Sequence, residues 1–423
     1  MIDEIFIAAH EAFLHYKNLP ANLKADFLET IAEILEANRA NIVPVAVKES
    51  NLPEGRINGE LGRTTGQIKL FATMVRDGSW LEATIDPGDR HREPLPKADI
   101  RKMLTPIGPV VVFGASNFPL AFSTAGGDTI SALAAGCPVI YKGHPAHPET
   151  SRLVAECIHK AVISADLPEA VFIHVEGGIE IGQALVKHPL AKAEMGSVNP
   201  VFTFPEKLGN ELVPLAQSYV SSLTLGSGQF CTNPGLIFVP RAHATAFEAA
   251  MAKEIKEIAG SPMLHPGIAS AYYDSIEYYQ SRQELKWIKV AFALMVVYDS
   301  PNELMEAAKK LHGQLTITVW GDIPELKQNA ALINILEEKC GRLLFAGVPT
   351  GVEVGYAMQH GGPYPSTTDS RSTSVGAGAI KRFARPIAFQ DMPSDLLPDA
   401  LKNDNPMKIV RQVNGKFTVE KIN

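Results

Sequence analysis

The first 80 residues carry apolar side chains at helical spacing. Within residues 22–42 the apolar positions recur every three or four residues, at Leu23, Phe27, Ile31, Ile34 and Leu35. That period predicts an amphipathic helix with one buried face. A second helix is expected over residues 59–71. Because glycine is costly inside a helix, its Gly59, Gly62 and Gly66 predict that something packs closely against it.

From residue 107 onwards, short apolar runs alternate with helical stretches. Val110–Phe113, Pro138–Lys142 and Val171–Val175 are three such runs. Continuous apolar strands joined by helices predict a doubly wound parallel sheet, with ligands at the carboxyl ends of its strands. The Pro- and charge-rich residues 81–106 are expected to form a connecting excursion, as an exposed hairpin.

A second alternating set begins near residue 200. Its strands are expected at Val201–Phe204, after the stretch around Cys231, at Phe292–Tyr298 and at Leu315–Trp320. This set predicts a second α/β domain after the first.

The composition of the chain argues against several classes of function. The chain has 423 residues, of which 46% are hydrophobic, a net charge of −7 and a pI of about 6.0. It therefore lacks a basic stripe for nucleic acid. No apolar run approaches the roughly 18 residues of a membrane span, and no signal peptide is visible. Four cysteines without a CxxC pair are typical of a reducing compartment, so we expect a cytoplasmic protein.

One cysteine stands among small residues. Cys231 lies within Gly226–Gly235 and is followed by the apolar run Leu236–Val239. A thiol between glycines, just before a strand, can lie in a cleft with its sulfur free to attack. The alternative is a buried core cysteine, and the stretch alone does not decide between the two.

Three further polar residues favour the nucleophile. Asn117 lies in a turn after a strand, Lys142 ends the next strand, and Glu194 opens the segment that leads to the second domain. A thiol, a carboxylate base and an amide donor suffice for acyl chemistry on an aldehyde. Taken singly, each has a structural explanation, as a turn amide, a solvated lysine or a surface carboxylate. His144 and His147 have H-x-x-H spacing but no third ligand nearby, so we expect no metal.

In this order, the motifs resemble the aldehyde dehydrogenase superfamily over nearly the whole chain. They are the Asn-Phe-Pro turn at Asn117, the strand-ending Lys142, the Glu-x-Gly motif at Glu194 and the Gly-Gln-x-Cys motif at Cys231. Three further stretches are similar to one branch, the 2-oxoglutarate semialdehyde (2,5-dioxopentanoate) dehydrogenases and related NADP-dependent long-chain aldehyde dehydrogenases. These stretches are residues 114–123, 360–365 and 369–376.

The resemblance implies an α/β aldehyde dehydrogenase fold in three parts. The expected parts are a Rossmann-like cofactor domain, an α/β catalytic domain and a small oligomerisation element of a homodimer or homotetramer. Their expected bounds are 1–85 with 107–194, then 195–378, and then 86–106 with 379–423.

The resemblance also implies a role for each site residue. Cys231 would attack the aldehyde, Asn117 and the Cys231 backbone N–H would hold the oxyanion, and Glu194 would activate the water that hydrolyses the thioester. The implied hydride acceptor is NADP, with NAD tolerated. Contacts to this cofactor are expected from Lys142, His144, Ser116, Gly178 and Gly182.

The preference for NADP follows from one position. Family members that prefer NAD often carry a glutamate three residues after the strand-ending lysine, where it binds ribose hydroxyls and repels a phosphate. In this chain Pro145 takes that place after Lys142. No carboxylate there excludes the 2′-phosphate of NADP.

The implied substrate is 2,5-dioxopentanoate, and the alternative is a medium- or long-chain aliphatic aldehyde. A 2-oxo acid carries a carboxylate that needs a cationic or amide partner once it leaves water. We expect that partner to be Arg63, with Arg371 as the alternative, unless both arginines pair with surface carboxylates. The candidate substrate contacts are Arg63, Gln67, Phe118 and Phe230.

Two stretches typical of the family are absent. One is a strand and helix opening that touches the cofactor phosphates, between Lys192 and Glu194. The other is a motif before Phe292 whose glutamate holds the nicotinamide ribose. A true double deletion would cripple hydride transfer and leave a catalytically inactive homologue. We favour the other explanation, that the sequence as written omits residues the protein carries, because loss of a central strand would leave a void.

Overall fold

The chain forms two compact units. The computed structural model describes residues 2–186, 197–258, 269–270, 293–367 and 369–422. The first unit comprises Met1–Glu49, Pro53–Ala191 and Ala377–Asn423, and the second comprises Ser50–Leu52 and Lys192–Gly376. The three-part division into functional domains stays a prediction.

Helices make up much of both units. Those of the first unit are Ile2–Tyr16 (α1), Ala21–Ala37 (α2), Arg39–Ser50 (α3), Glu54–Asp77 (α4), Gly127–Ala135 (α5), Pro148–Ser164 (α6) and Ile179–Val186 (α7). Those of the second are Pro205–Asn210 (α8), Leu212–Thr224 (α9), Arg241–Lys256 (α10), Pro301–Lys310 (α11), Ile323–Gln328 (α12) and Ala330–Glu337 (α13). In the described part of the chain, every helix is too short or too polar to cross a bilayer.

The strands are short and fall into three sheets. The first unit contains Thr84–Asp86 (β1), Ile100–Pro106 (β2), Val110–Phe113 (β3), Val139–Lys142 (β4), Phe172–Val175 (β5), Ala384–Gln390 (β11), Arg411–Val413 (β12) and Lys416–Thr418 (β13). The second contains Val201–Thr203 (β6), Leu236–Pro240 (β7), Leu294–Tyr298 (β8), Gln314–Trp320 (β9) and Cys340–Leu344 (β10).

The predicted amphipathic helix forms, with two differences. Phe27, Ile31 and Leu35 are buried on α2 as expected, but Leu23 is 53% exposed. Leu23 lies in the first turn of α2, where Lys24 takes the buried position instead. The helical run also ends earlier than residue 42, because α2 stops at Ala37 and α3 begins at Arg39.

The reason we inferred for the glycines of α4 is wrong. Gly59, Gly62 and Gly66 lie on the solvent side of the helix. A Cβ atom at Gly59 or Gly66 would meet no atom within 4 Å, so close packing does not require glycine there. The buried side of α4 carries polar residues as well as apolar ones, among them Glu60 and Gln67.

The first unit contains the expected parallel sheet. β3, β4 and β5 pair in that order, and Phe113, Lys142 and Val175 lie level at their carboxyl ends. Helices α1 and α7 pack against the sheet in a cluster that joins Ala9 and Leu185 to strand residues such as Val111. The alternation of strand and helix therefore predicted the sheet correctly, and it sets Lys142 at a strand end.

Residues 81–106 and the C-terminal segment meet in a second sheet. β1 and β2 form an antiparallel hairpin, as expected, and β11 pairs with all of β2. The full order is β11-β2-β1-β12-β13. Two segments nearly 300 residues apart in the sequence thus form one five-stranded sheet in the first unit.

The second unit is built on a five-stranded parallel sheet in the order β10-β9-β6-β7-β8. One face packs Val201 and Ile237 against α9 and α10. The other face packs Phe202 and Val319 against residues such as Leu304 of α11. Burial on both faces explains why these strands read as continuous apolar runs. The predicted second α/β domain is therefore present.

Glycines allow the loop after His360 to lie directly on this sheet. A Cβ atom at Gly341 of β10 would overlap the carbonyl oxygen of Gly361, and one at Gly362 would overlap the carbonyl oxygen of Gln314. These are backbone atoms, which cannot swing aside as a flexible side chain would. The two strands and the loop therefore touch backbone to backbone.

We predict that Gly341→Ala destabilises the protein by about 2 kcal/mol or more, because the added methyl must displace the backbone of the loop. Gly355→Ala is the matched control, since its Cβ would meet nothing within 4 Å and its φ is ordinary. Its effect should stay within about 0.5 kcal/mol. Urea unfolding of the three proteins measures the difference, and equal midpoints would contradict the packing argument.

Candidate active site

Cys231 lies on a tight loop at the amino end of β7. A 3-10 turn, Leu225–Gly228, follows α9, and both Gly226 and Gly228 adopt left-handed φ angles of 62° and 71°. A Cβ at Gly226 would also crowd the ring of Phe230. The glycines around Cys231 are therefore needed for the path of the loop.

Cys231 is less buried than two of the other three cysteines. Cys231 is half-buried, whereas Cys137 and Cys157 are buried. Burial raises the pKa of Cys137 to about 11 and that of Cys340 to about 12, and it also raises the pKa of Cys157. These three thiols are poor nucleophiles near neutral pH, because attack requires the thiolate.

Two asparagine side chains hold the Cys231 loop. Asn199 Nδ2 donates to the carbonyl oxygens of Cys231 at 2.8 Å and Asn233 at 3.0 Å. The side chain of Asn233 in turn accepts from the backbone N–H of Phe230 and donates to the carbonyl of Ser222 at 2.6 Å. The loop is thus fixed from both sides, and neither asparagine was identified from the sequence.

A buried histidine lies beside the thiol. His360 Nε2 is 3.6 Å from Cys231 Sγ, and the residue is only 1% exposed. Its backbone N–H donates to Thr373 Oγ1 at 2.8 Å, and its carbonyl accepts from the N–H of Ser374 at 2.8 Å. Residues 360–365 and 369–376 are therefore hydrogen-bonded to each other, and they position the imidazole of His360 beside the sulfur of Cys231. The sequence pattern contained His360 but gave no sign of this role.

In the first unit, a buried carboxylate shapes the turn that carries Asn117. Asn117 and Ser116 follow β3 and are half-buried. Glu60 Oε1, from α4, accepts from the backbone N–H groups of Leu120 and Ala121 at 2.9 Å each. Burial raises the pKa of Glu60, and these two hydrogen bonds oppose the rise. The turn is therefore fastened to α4 through Glu60, another residue the sequence did not reveal.

The proposed substrate contacts of the first unit share that neighbourhood. The guanidinium of Arg63 lies 5.7 Å from the ring centroid of Phe122, and the rings of Phe118 and Phe122 are 5.0 Å apart. Gln67 is 5% exposed, and in the described part of the chain its amide Nε2 has no hydrogen-bond partner. A buried N–H without an acceptor is costly, so this position favours an added acceptor.

Arg371, the alternative anion partner, lies in a different setting. Its side chain is 89% exposed and pairs with Asp369 at 3.1 Å. Arg371 thus pairs with a surface carboxylate, which is the alternative to an anion-binding role that the sequence left open. Phe230, the remaining candidate contact, is half-buried in the Cys231 loop of the second unit.

The expected cofactor residues lie at strand ends and turns of the first unit. Lys142 is 8% exposed, burial lowers its pKa, and its ammonium bonds to none of the described residues. His144 is half-buried, and its Nδ1 accepts from the N–H of Ala146 at 3.1 Å. Gly178 is exposed and Gly182 is half-buried at α7. An ammonium that bonds to none of the described residues fits an anionic or hydroxylated ligand at the end of β4.

Two of the remaining predictions concern a base and metal ligands. Glu194, the expected base, lies outside the described residues. Within the described residues, no group of three or more His, Cys, Asp and Glu side chains could hold a metal ion.

Comparison with known proteins gives close relatives. A model described as Aldehyde dehydrogenase family matches residues 1–193. The chain is 39% identical to the alpha-ketoglutaric semialdehyde dehydrogenase of Acinetobacter baylyi, over 99% of this chain and 91% of that protein. It is 41% identical to alpha-ketoglutaric semialdehyde dehydrogenase 2 of Azospirillum brasilense, over 96% and 90%. The suspected family and branch are confirmed.

Solved structures share the fold at lower identity. Aldehyde dehydrogenase 21 from Physcomitrella patens, in complex with the reaction product succinate, has a TM-score of 0.77 and 16% identity over 94% of this chain and 91% of that one. Glyceraldehyde-3-phosphate dehydrogenase from Methanocaldococcus jannaschii, complexed with NADP, has a TM-score of 0.74 and 17% identity over 92% and 93%. The predicted aldehyde dehydrogenase fold is confirmed.

The relatives contain positions that this chain lacks. The alignment with the Acinetobacter protein runs over 481 positions, whereas the chain has 423 residues, so at least 58 positions face gaps in this chain. This shortfall agrees with the absence of stretches typical of the family.

We predict that His360→Asn slows alkylation of Cys231 by iodoacetamide at neutral pH by about tenfold or more, because the imidazole no longer assists loss of the thiol proton. Mass spectrometry of the Cys231 peptide measures the rate. His312→Asn is the control, since His312 is an exposed histidine of the same unit. A rate in His360→Asn equal to that of the wild type would show that the contact has no chemical role.

Proposed function

Because the chain belongs to the aldehyde dehydrogenase family, we propose that it oxidises 2,5-dioxopentanoate to 2-oxoglutarate. The relatives named alpha-ketoglutaric semialdehyde dehydrogenase, which match nearly the whole chain, support this substrate. The observation that carries the chemistry is the half-buried Cys231 with His360 Nε2 at 3.6 Å from its sulfur. A nucleophile beside a base is the arrangement that covalent catalysis on an aldehyde requires.

The reaction begins with the thiol of Cys231. His360 takes its proton, and the sulfur adds to the aldehyde carbon to give a thiohemiacetal. Asn117 and the backbone N–H of Cys231 are the proposed donors to its oxygen. Loss of hydride then leaves a thioester on Cys231, and Glu194 is the proposed base for the water that releases the carboxylate.

NADP, when bound, supplies the hydride acceptor, with NAD as an alternative. Lys142 would hold its adenosine ribose or 2′-phosphate, because this lysine at the end of β4 bonds through its ammonium to none of the described residues. Pro145 leaves no carboxylate to repel that phosphate. Ser116, His144, Gly178 and Gly182 are the other proposed contacts.

Arg63 and Gln67 are the proposed partners of the substrate carboxylate. The unsatisfied amide of Gln67 lies one helical turn after Arg63, on α4. A carboxylate oxygen would satisfy that N–H, and the guanidinium would balance the charge. Phe118 and Phe230 are proposed to contact the carbon chain.

A medium- or long-chain aliphatic aldehyde is the second candidate substrate. The half-buried rings of Phe118 and Phe122 favour it, because they offer apolar surface in the same part of the first unit. An inactive homologue is the third candidate, and it follows if the missing positions are truly deleted. A measured chain mass of 45.7 kDa would indicate deletion, and a heavier chain would indicate omitted residues.

We predict that the purified chain reduces NADP with 2,5-dioxopentanoate at a higher kcat/KM than with hexanal, and that Cys231→Ala abolishes both reactions. Arg63→Ala should lower kcat/KM for 2,5-dioxopentanoate by about 10- to 100-fold, since a bond to a charged group is lost. Hexanal oxidation should stay unchanged. NADPH absorbance follows all the reactions.

Arg76→Ala is the matched control, because Arg76 lies on the same helix and pairs with Glu29. Equal losses for both aldehydes in Arg63→Ala, or no loss, would contradict the anion site. A wild-type chain that reduces no NADP with either aldehyde would contradict the function itself.

We also propose that the five-stranded sheet of the first unit joins subunits in a homodimer or homotetramer of a cytoplasmic protein. Its outer strands β11 and β13 each pair on one side only among the described residues, and such edges favour pairing with another chain. Four free cysteines are typical of a reducing compartment. Light scattering should give two or four times the chain mass, and a monomer mass would overturn the proposal.

A further inference from the structure

Arg342 shares a sheet face with the hydrogen bonds that hold the nucleophile. It lies on β10 and pairs in register with Thr316 of β9. Paired residues of adjacent strands share a face of the sheet. On that face Thr316 Oγ1 donates to Asn199 Oδ1 at 3.0 Å, and Asn199 Nδ2 donates to the carbonyl of Cys231 at 2.8 Å.

The guanidinium of Arg342 binds backbone rather than a carboxylate. It donates to the carbonyl oxygens of Pro349 at 2.6 Å and Gly351 at 3.2 Å. Its buried Nε has no hydrogen-bond partner among the residues that the structure describes. Within the described residues, no carboxylate forms an ion pair with it. The guanidinium of Arg342 therefore binds the loop of residues 349–351. Among the described residues, no adjacent carboxylate neutralises its positive charge.

The loop that Arg342 holds is bound on its other side to the nucleophile. Thr350 lies between the two carbonyls that accept from Arg342. Ser222 Oγ donates to the Thr350 hydroxyl at 2.7 Å, and two acceptors lie within reach of that hydroxyl, the carbonyl of Ser222 at 3.1 Å and that of Thr232 at 3.3 Å. Thr232 directly follows Cys231. Arg342 is therefore connected to the loop that carries Cys231 through residues 349–351, whose backbone it binds.

Electrostatics agree with this placement. Burial lowers the pKa of Arg342, and the negative charge of an ionised Cys231 opposes that change. The guanidinium of Arg342 and an ionised Cys231 thus attract each other. A positive charge beside a thiol favours the thiolate.

We propose that Arg342 is a positioning residue for Cys231, which fastens residues 349–351 against the nucleophilic loop and places a positive charge that favours the thiolate. The proposal rests on Cys231 as the nucleophile of the proposed function, and it adds a residue to that site. It does not depend on which aldehyde is oxidised.

The test measures the rate of Cys231 alkylation by iodoacetamide across pH in the full chain. Arg342→Gln keeps an amide donor for the loop but removes the charge, so the apparent pKa of the thiol should rise by about one unit. Alkylation near neutral pH should then fall by up to about tenfold. Arg342→Lys keeps the charge but cannot span both carbonyls, and its thiol pKa should stay near that of the wild type.

Arg241→Gln is the matched control, because Arg241 is an exposed arginine of the same unit that pairs with Asp299. It should leave the thiol pKa unchanged. A thiol pKa in Arg342→Gln equal to that of the wild type would overturn the proposal. If Arg342→Gln does not fold, a thiol pKa in Arg342→Lys about one unit above that of the wild type would overturn it instead.

This readout is separate from aldehyde oxidation. If the wild type fails to oxidise 2,5-dioxopentanoate while Arg342→Gln still raises the thiol pKa, the proposed function fails and the role of Arg342 stands. If oxidation proceeds and the thiol pKa does not depend on Arg342, the proposed function stands and the role of Arg342 fails.

Discussion

The hydrogen bonds from Asn199 Nδ2 to the carbonyls of Cys231 and Asn233 hold the nucleophile where the sheet begins. The loop between α9 and β7 has no regular ladder, so its buried carbonyls must find side-chain donors or remain unsatisfied at a cost of roughly 1–3 kcal/mol each. Asn199 itself is fixed by Thr316 of a neighbouring strand. The position of the thiol therefore depends on the register of the whole sheet.

The two parallel sheets present their polar residues at opposite ends. In the first unit, Lys142 ends β4 and Asn117 follows β3, as expected for ligands at carboxyl ends. In the second unit, Cys231 precedes β7 and Asn199 precedes β6, so the nucleophile lies at amino ends. Left-handed Gly226 and Gly228 make the loop before β7 tight enough for this arrangement.

The pattern of apolar and small residues predicted those features of the fold that residues adjacent in the sequence determine. Apolar runs at strand length predicted the strands of both parallel sheets except β10, and small residues around Cys231 marked a loop that needs them. The contact between Cys231 and His360 joins residues 129 apart in the sequence, and no local period contains that information. The same holds for Glu60, which reaches Leu120 across 60 residues. The exposed glycines of α4 show the opposite error, because a Cβ at Gly59 or Gly66 would meet no atom within 4 Å.

The missing positions affect hydride transfer, whereas the nucleophile is needed for the attack on the aldehyde. By the resemblance, the absent stretches touch the cofactor, which accepts hydride. Cys231, His360, Asn199 and Arg342 all lie among the described residues of the second unit. Formation of the thiolate involves these residues, whereas turnover also needs hydride transfer. A chain with a true deletion would therefore keep a reactive cysteine and lose oxidation, and a chain with a complete cofactor domain would show both.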